Sequence, residues 1–333
     1  MPATLEPATL DETVLSVRGL TVALPKGMER AHAVEDISFD LQRGQILCII
    51  GESGSGKSVT ANTIMGLLPK VFQVSSGSIH LEDTSLVGAS LKALQDMRGR
   101  AVSMIFQDPL SALNPLMTVG DQIIEAMAAH GVGSKASRRE RVIELLNEVG
   151  LPDPQLMYFQ YPFRLSGGQR QRVMIAMALA LEPKVLIADE PTTALDVTTQ
   201  AQILKLIKDI QRRKGMSVMF ITHDFGVVAE IADSVVVMEK GRIVEQGSAE
   251  QVLKSPAHPY TKRLIAAVPR LTGEDRNPGA KVSQNTILKI EGLVKTYRSG
   301  SALFGSQRIV PAVADVSFNL IQGRTLGIVG ESG

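Results

Sequence analysis

The stretch "GESGSGKS", residues 51–58, decides the fold of this chain. It fits the pattern G-x-x-x-x-G-K-[ST] at every position. The glycines let the main chain turn so that several N–H groups point at phosphate oxygens. Lys57 can reach the β- and γ-phosphates of a nucleotide, and the Ser58 hydroxyl can ligate Mg²⁺. The residues expected to cradle the phosphates are Gly51, Glu52, Ser53, Gly54, Ser55, Gly56, Lys57 and Ser58.

The segments around this loop predict an α/β fold. The apolar run "ILCII" (46–50) before it is typical of a buried parallel strand, and "KSVTANTIMGLL" (57–68) after it predicts a helix. Two further apolar runs, "KVLIADE" (184–190) and "SVMFITHD" (217–224), predict strands of the same sheet. The alternating residues that precede position 44 predict an antiparallel β layer beside this core.

Composition limits the classes of function. The 333 residues include 35 basic and 34 acidic side chains, a balance that gives no sign of a nucleic-acid-binding surface. No apolar stretch is long enough to cross a bilayer, and the N-terminus lacks the pattern of a signal peptide. Cys48 is the one cysteine, so a disulfide within one chain and a cysteine-ligated cluster are both excluded. We therefore expect a cytoplasmic chain without an iron–sulfur cluster.

Two more motifs carry chemistry that suits a nucleotide. A predicted strand ends in Asp189 and Glu190, where the first carboxylate would hold Mg²⁺ and the second would polarise an attacking water. In "LSGGQ" (165–169), Ser166 is expected to cap the following helix, while Gly167 and Gly168 leave backbone N–H groups uncovered. This predicts a second helix N-terminus that can face a γ-phosphate.

The chain also contains an internal repeat. Residues 31–54 and 310–333 are identical at 13 of 24 positions, and residues 14–24 align with 287–297. The second copy stops at "GESG" (330–333), before the lysine and serine that complete the first copy. From this we expect either a longer intact protein or a truncated form.

Together these motifs resemble those of the ABC-type ATPases, the ATP-binding cassette family, over residues 14–247. The resemblance implies a P-loop NTPase (RecA-like) parallel-sheet core with an N-terminal antiparallel β subdomain and an inserted helical subdomain. It implies that Gln107 senses the γ-phosphate and ligates Mg²⁺ with Ser58 and Asp189, and that His223 acts beside Lys57 and Glu190 in catalysis. Asp196 in "TALD" would lie at the contact between two cassettes. The residues implied to close over ATP held by a partner cassette are Ser166, Gly167, Gly168 and Gln169.

One position departs from the family pattern. In this family an aromatic side chain near the start of the cassette stacks on adenine. Tyr297 stands at that position in the second copy, but the first copy has Leu24. We therefore expect weaker or less adenine-selective binding at the first copy.

The segments "FQDPLSALNPLMTVGDQIIEAM" (106–127) and "HPYTKRLIAAVPRL" (258–271) resemble a narrower group, the ATPase subunits of bacterial importers for oligopeptides, dipeptides, nickel and related solutes. The implied partners are a second cassette, integral membrane permease subunits and, indirectly, an extracytoplasmic solute-binding protein. The implied location is the cytoplasmic face of the inner membrane. The expected divisions are a first cassette over 1–247 with its helical subdomain at about 107–168, a C-terminal extension over 248–271, a linker over 272–286 and the start of a second, incomplete cassette over 287–333.

Other functions are compatible with parts of this pattern. A non-transport ABC ATPase of the repair or translation type would also carry "LSGGQ". A P-loop kinase would share the first loop but would give no role to "LSGGQ" or to the repeat. A regulator that binds ATP without hydrolysing it would not need Glu190 or His223. Within the importer group the solute stays open among peptides, nickel, glutathione, opines and murein fragments.

Overall fold

The computed structural model describes residues 13–193, 195–268, 285–299 and 308–330. Contacts divide the chain into one unit that ends at Pro269 and a second that begins at Arg270. The strands of the first unit are β1 (Thr13–Ala23), β2 (His32–Gln42), β3 (Ile46–Ile50), β4 (Gln73–Leu81), β5 (Thr84–Ser85), β6 (Val102–Ile105), β7 (Val185–Asp189), β8 (Ser217–Thr222), β9 (Ser234–Glu239) and β10 (Arg242–Ser248). Its helices are α1 (Lys57–Ile64), α2 (Leu91–Met97), α3 (Pro109–Ala112), α4 (Val119–Ala129), α5 (Lys135–Glu148), α6 (Pro154–Met157), a 3-10 turn (Pro162–Arg164), α7 (Gly167–Ala178), α8 (Val197–Lys214), α9 (Phe225–Ile231), α10 (Ala249–Lys254) and α11 (Pro259–Ala266).

The central sheet has the strand order β10–β9–β3–β8–β7–β6. The strands from β9 to β6 run parallel to their neighbours, while β10 at the edge pairs antiparallel with β9. The three strands predicted from apolar runs are confirmed as β3, β7 and β8. Since β3 lies at the centre of the sheet, the loop that follows it emerges in the middle of the carboxyl edge, where α/β proteins commonly bind ligands.

The continuous apolar run of β3 is explained by burial of both faces of the sheet. Ile46, Cys48 and Ile50 belong to one hydrophobic core together with the helices. Leu47 and Ile49 belong to a second core, on the opposite face, together with the antiparallel sheet. Because successive side chains of a strand point to opposite faces, a strand covered on both sides needs apolar residues at every position.

The predicted antiparallel layer is confirmed as a four-stranded sheet with the order β2–β1–β4–β5. Its buried side chains, among them Leu15, Leu20 and Ile37, pack in the second core. The layer therefore covers one face of the central sheet and connects directly to β3.

Five short helical segments, from α3 to the 3-10 turn, lie between β6 and α7. The stretch "HGVGS" (130–134), which predicts a break between two helices, separates α4 from α5. Ser134 caps α5 through a reciprocal pair of bonds with Ser137. This helical region connects the residue after β6 to the residues that begin α7.

Two helices are shorter than the sequence predicts. The helix expected over 57–68 ends at Ile64, and Gly66 follows in the left-handed conformation with φ of 62°. The pattern of "GGQRQRVMIAMALALE" (167–182) likewise predicts a helix that is stopped by Pro183, but α7 ends at Ala178. No helix among the described residues combines the length and the apolar character needed to span a bilayer.

The second unit is described as one hairpin, β11 (Thr286–Ser299) paired antiparallel with β12 (Arg308–Ile321). It repeats the local geometry of β1 and β2. Gly19 has φ of 55° and its N–H donates to the Ser38 hydroxyl at 2.9 Å. Gly292 has φ of 58° and its N–H donates to the Ser317 hydroxyl at 2.9 Å. Most of the linker expected over 272–286, and the last three residues of "GESG", lie outside the described residues.

Candidate active site

The loop from Gly51 to Gly56 connects β3 to α1 and requires glycine at both ends. Gly51 has φ of 155°, and a Cβ there would lie 2.2 Å from the carbonyl oxygen of Met238. Gly56 has φ of 101° at the N-cap of α1, and a Cβ there would lie 2.8 Å from the carbonyl oxygen of Ala33. Any side chain at either position would therefore force the loop away from the neighbouring strands.

Lys57 is only 5% exposed and its ammonium group lies inside the curve of the loop. Its Nζ donates to the carbonyl oxygen of Gly51 at 2.8 Å and to that of Glu52 at 3.0 Å. Burial lowers the pKa of Lys57, and the carboxylates of Glu190 and Asp189 oppose that shift. The carbonyls hold the ammonium where a phosphate in the loop can reach it.

Ser58 and Asp189 meet across the start of α1 and the end of β7. The Ser58 hydroxyl donates to Oδ1 of Asp189 at 3.1 Å. Asp189 is 5% exposed; burial raises its pKa, while the bond from Ser58 works against that rise. A hydroxyl and a carboxylate oxygen side by side are the hard oxygen ligands that Mg²⁺ prefers.

Three side chains contact one carboxylate oxygen of Glu190. Nε2 of Gln107 donates to its Oε2 at 3.0 Å, and the Thr193 hydroxyl donates to the same atom at 3.1 Å. Nδ1 of His223 lies 3.2 Å from it. The backbone of Glu190 is left-handed, with φ of 45°, and its N–H is bonded to the carbonyl of Ile221 at 2.9 Å. The sequence-predicted residues at 107, 190 and 223 thus form one cluster at the carboxyl edge of β6, β7 and β8.

Thr193 was not predicted from the sequence as part of this cluster. It lies three residues after Glu190, within a turn whose N–H at Thr193 bonds back to the Glu190 carbonyl at 3.1 Å. The turn brings the hydroxyl back to the carboxylate. The pattern "DEPTT" (189–193) could have indicated it, because a threonine in the turn after a carboxylate can bond backwards.

The "LSGGQ" segment begins α7, as predicted. The N–H of Gln169 donates to the Ser166 hydroxyl at 3.3 Å, and the Gln169 side chain accepts from the Ser166 N–H at 3.0 Å, which together form a capping box. A Cβ on Gly168 would lie 2.6 Å from the side chain of Thr199. Gly168 therefore lets the first turn of α7 pack against the first turn of α8.

Asp196 caps α8 beside this contact. Its carboxylate accepts from the N–H of Thr199 at 2.9 Å and from the Thr199 hydroxyl at 2.8 Å. Ser166, Gly168 and Asp196 thus belong to a second group of site candidates, built on the N-termini of α7 and α8. Ala194, within "TALD", lies outside the described residues.

Three other elements hold the main chain of the phosphate loop. Nη2 of Arg30 donates to the carbonyl of Gly54 at 2.8 Å, and the N–H of Gly241 donates to the carbonyl of Ser55 at 3.0 Å. The N–H of Glu52 donates to the hydroxyl oxygen of Tyr260 at 3.1 Å. The loop is therefore fixed from outside by the β1–β2 connection, by the β9–β10 turn and by α11.

Residues 34–193 match the family described as ABC transporter. The solved structure of cbiO1 from Clostridium perfringens, part of an ABC transporter complex, is 30% identical with a TM-score of 0.63, over 74% of this chain and 92% of that chain. The chain belongs to the ABC ATP-binding cassette family. Membership confirms the resemblance drawn from the motifs, and with it the α/β P-loop fold and the binding of ATP. Residues 244–292 of this cassette protein match the family described as oligopeptide/dipeptide transporter, C-terminal region.

Relatives and further structures agree with this assignment. The peptidoglycan transport ATP-binding protein YejF of Agrobacterium fabrum is 46% identical over 329 residues, covering 98% of this chain and 59% of that protein. The glutathione import ATP-binding protein GsiA of Escherichia coli is 45% identical over 356 residues, covering 96% and 56%. The dimeric structure of MJ0796, a bacterial ABC transporter cassette, is 28% identical with a TM-score of 0.63, over 71% of this chain and 98% of that one. The chain thus spans a little more than half the length of YejF and of GsiA.

Proposed function

We propose that this cassette hydrolyses ATP to energise a bacterial importer of peptides or a related small solute. The observation that carries the hydrolytic part is the convergence of Gln107, Thr193 and His223 on one oxygen of Glu190, next to the Ser58–Asp189 pair. The match of residues 244–292 to the C-terminal region of oligopeptide and dipeptide transporters supports the import part.

In this proposal the loop from Gly51 to Ser58 holds the triphosphate of ATP. Its backbone N–H groups and the N-terminus of α1 face the phosphate oxygens, with Lys57 between the β- and γ-phosphates. Glu190 acts as the base that polarises the attacking water, and its three partners keep the carboxylate aimed. Gln107 and His223 sense whether the γ-phosphate is present, because both contact the Glu190 carboxylate that lies beside it.

Mg²⁺ fits the oxygen atoms at this site. Ser58, Asp189 and the side-chain carbonyl of Gln107 are the residues that would hold it, since all three offer hard oxygen ligands. When bound, the ion would neutralise charge on the phosphates.

One cassette supplies half of each catalytic site in this proposal. Its phosphate loop pairs with the segment Ser166–Gln169 of a second cassette, and its own segment pairs with the other loop, with Asp196 at the contact. The dimer reported for MJ0796 supports this arrangement. The second cassette would come from another copy of the first unit, from the sequence that begins at residue 287, or from a separate ATPase chain.

The helical region between Gln107 and residue 168 would pass the motion of closure to permease subunits in the membrane. The chain would then lie on the cytoplasmic face of the inner membrane, with an extracytoplasmic binding protein selecting the solute. The divisions of the chain follow this scheme: a cassette over 1–247, an importer-type extension over 248–271, a linker over 272–286 and the start of a second cassette from 287.

Turnover of Mg²⁺-ATP by residues 1–333 is expected to rise per chain with protein concentration, because two cassettes must meet to complete a site. Phosphate release measured over a wide range of protein concentration checks this, with Glu190→Gln as the blank. A rate per chain that is above the blank but independent of concentration would contradict a site shared by two chains. A rate equal to the blank throughout would contradict pairing of two first units.

A mixing experiment sharpens this test. Chains with Lys57→Ala keep an intact Ser166–Gln169 segment, and chains with Ser166→Arg keep an intact phosphate loop. Each variant alone is expected to be inactive, but a mixed pair contains one complete site and should recover part of the activity. Mixing either variant with chains that carry both Lys57→Ala and Ser166→Arg provides the matched control, because no pair in these mixtures joins an intact phosphate loop to an intact Ser166–Gln169 segment.

Replacing Leu24 by Tyr is expected to tighten ATP binding about fivefold or more, because base–aromatic stacking contributes about 1–3 kcal/mol. Leu24 directly follows β1, and its N–H donates to the carbonyl of Ala31 at 2.9 Å. The substitution therefore changes the side chain and leaves that backbone bond in place. Equilibrium binding of ATP and of GTP to both proteins measures the effect, and unchanged dissociation constants for ATP would contradict the stacking role.

A further inference from the structure

Helix α11 reaches the phosphate loop through one tyrosine. Tyr260 is 3% exposed, and its hydroxyl oxygen accepts the N–H of Glu52 at 3.1 Å across 208 positions of sequence. Because the ring is buried and the oxygen is bonded to main chain, the contact fixes the backbone of the loop.

The bond from Tyr260 and a bond from Lys57 act on the same peptide group. The peptide between Gly51 and Glu52 donates its N–H to Tyr260, while its carbonyl, that of Gly51, accepts from Nζ of Lys57 at 2.8 Å. A planar peptide group bonded on both sides cannot rotate without losing one of the bonds. The tyrosine therefore determines where the loop presents the carbonyl that holds the ammonium group.

The surroundings keep Tyr260 in position. The guanidinium of Arg263 lies 5.8 Å from the centroid of its ring and 3.6 Å from the carboxylate of Glu239, at the end of β9. The N-terminus of α11 is tied to β10, because the carboxylate of Glu245 accepts the N–H groups of Ala257 at 2.7 Å and His258 at 3.1 Å. The ring is thus anchored to the same strands that carry the turn beside the loop.

We propose that Tyr260 is a positioning residue for nucleotide binding: it orients the Gly51–Glu52 peptide, and through it Lys57, so that the C-terminal extension supports the phosphate loop. This inference rests on the proposed ATP-binding role of the loop. It assigns to the importer-type extension a part in the nucleotide site of its own cassette.

The test is Tyr260→Phe, which keeps the buried ring and removes the acceptor. The dissociation constant for Mg²⁺-ATP is expected to rise about threefold to tenfold, as the loss of one partly buried hydrogen bond predicts. Tyr158→Phe is the matched control, since Tyr158 is 9% exposed and packs against Gly120, in the helical region. Both variants should melt at similar temperatures without nucleotide, whereas only Tyr260→Phe should weaken ATP binding.

Hydrogen–deuterium exchange of the nucleotide-free proteins gives a second measurement that does not depend on ATP. Peptides that contain Glu52 should exchange faster in Tyr260→Phe than in the wild type, and those over residues 217–222 should not change. If Tyr260→Phe is less stable than the control, the exchange of individual peptides still distinguishes a local change at Glu52 from a general loss of stability.

Unchanged ATP affinity together with unchanged exchange at Glu52 would overturn the inference. A general loss of protection, with ATP affinity falling only in proportion to the fraction folded, would also overturn it, because the tyrosine would then serve only the packing of α11. A wild type that does not bind ATP would instead contradict the proposed function, so the two failures are distinguishable.

Discussion

Replacing Glu190 by Gln is expected to reduce ATP hydrolysis at least about 100-fold while leaving ATP binding intact, since a positioned general base contributes about 10²–10⁴ in rate. Glutamine has the same size and keeps one carbonyl oxygen that can accept from Gln107 and Thr193. It removes the charge that attracts a proton from water. Phosphate release at saturating Mg²⁺-ATP, with equilibrium binding measured in parallel, separates the two effects.

The matched control for Glu190→Gln is Glu144→Gln. The Glu144 side chain is 66% exposed and pairs with Arg141 on α5, so it carries no role in the cluster. The control should hydrolyse ATP at the wild-type rate. Turnover by Glu190→Gln within threefold of that rate would show that another group activates the water, and the assignment of Glu190 would be wrong.

Replacing Lys57 by Ala is expected to weaken ATP binding at least about 100-fold, because hydrogen bonds to charged groups contribute about 1.5–3 kcal/mol each and this ammonium would meet two phosphates. The substitution also leaves the carbonyls of Gly51 and Glu52 without their donor. Isothermal titration with Mg²⁺-ATP measures the loss directly.

Adenosine and a surface lysine supply the controls for Lys57→Ala. Adenosine lacks phosphates, so its weak binding should be the same in the variant and the wild type. Lys254→Ala removes a side chain that is 75% exposed and paired with Glu250, and it should bind ATP normally. Similar affinities of Lys57→Ala and Lys254→Ala for ATP would contradict the phosphate contact.

The sequence predicts the core strands of this fold well because their burial leaves a pattern within a few consecutive residues. The strands β3, β7 and β8 are buried on both faces, which requires an unbroken apolar run and leaves a clear pattern. Helix ends are predicted less well. Leu179 and Ala180 are as buried as the helix before them, so their apolar character continues past Ala178, where the helix stops. Apolar patterning reports burial, and buried turns therefore look like helix.

The candidate site likewise contains residues that the sequence predicts well and contacts that it does not predict. Lys57, Ser58, Asp189 and Glu190 could be found from sequence because each lies at the end of a strand or at the start of a helix within a short motif. The bond between Gln107 and Glu190 spans 83 positions, and the bond between Glu52 and Tyr260 spans 208. Such pairs depend on the packing of whole elements, which no local pattern contains.

The left-handed backbone of Glu190 sets stability against activity at this residue. A residue other than glycine pays about 1–2 kcal/mol in that conformation, and the bond of its N–H to Ile221 holds it there. Glycine would relieve the strain and remove the carboxylate. Selection for stability alone would therefore favour glycine at position 190 and yield an inactive protein. Selection for ATP turnover would instead retain the glutamate and its strained main chain.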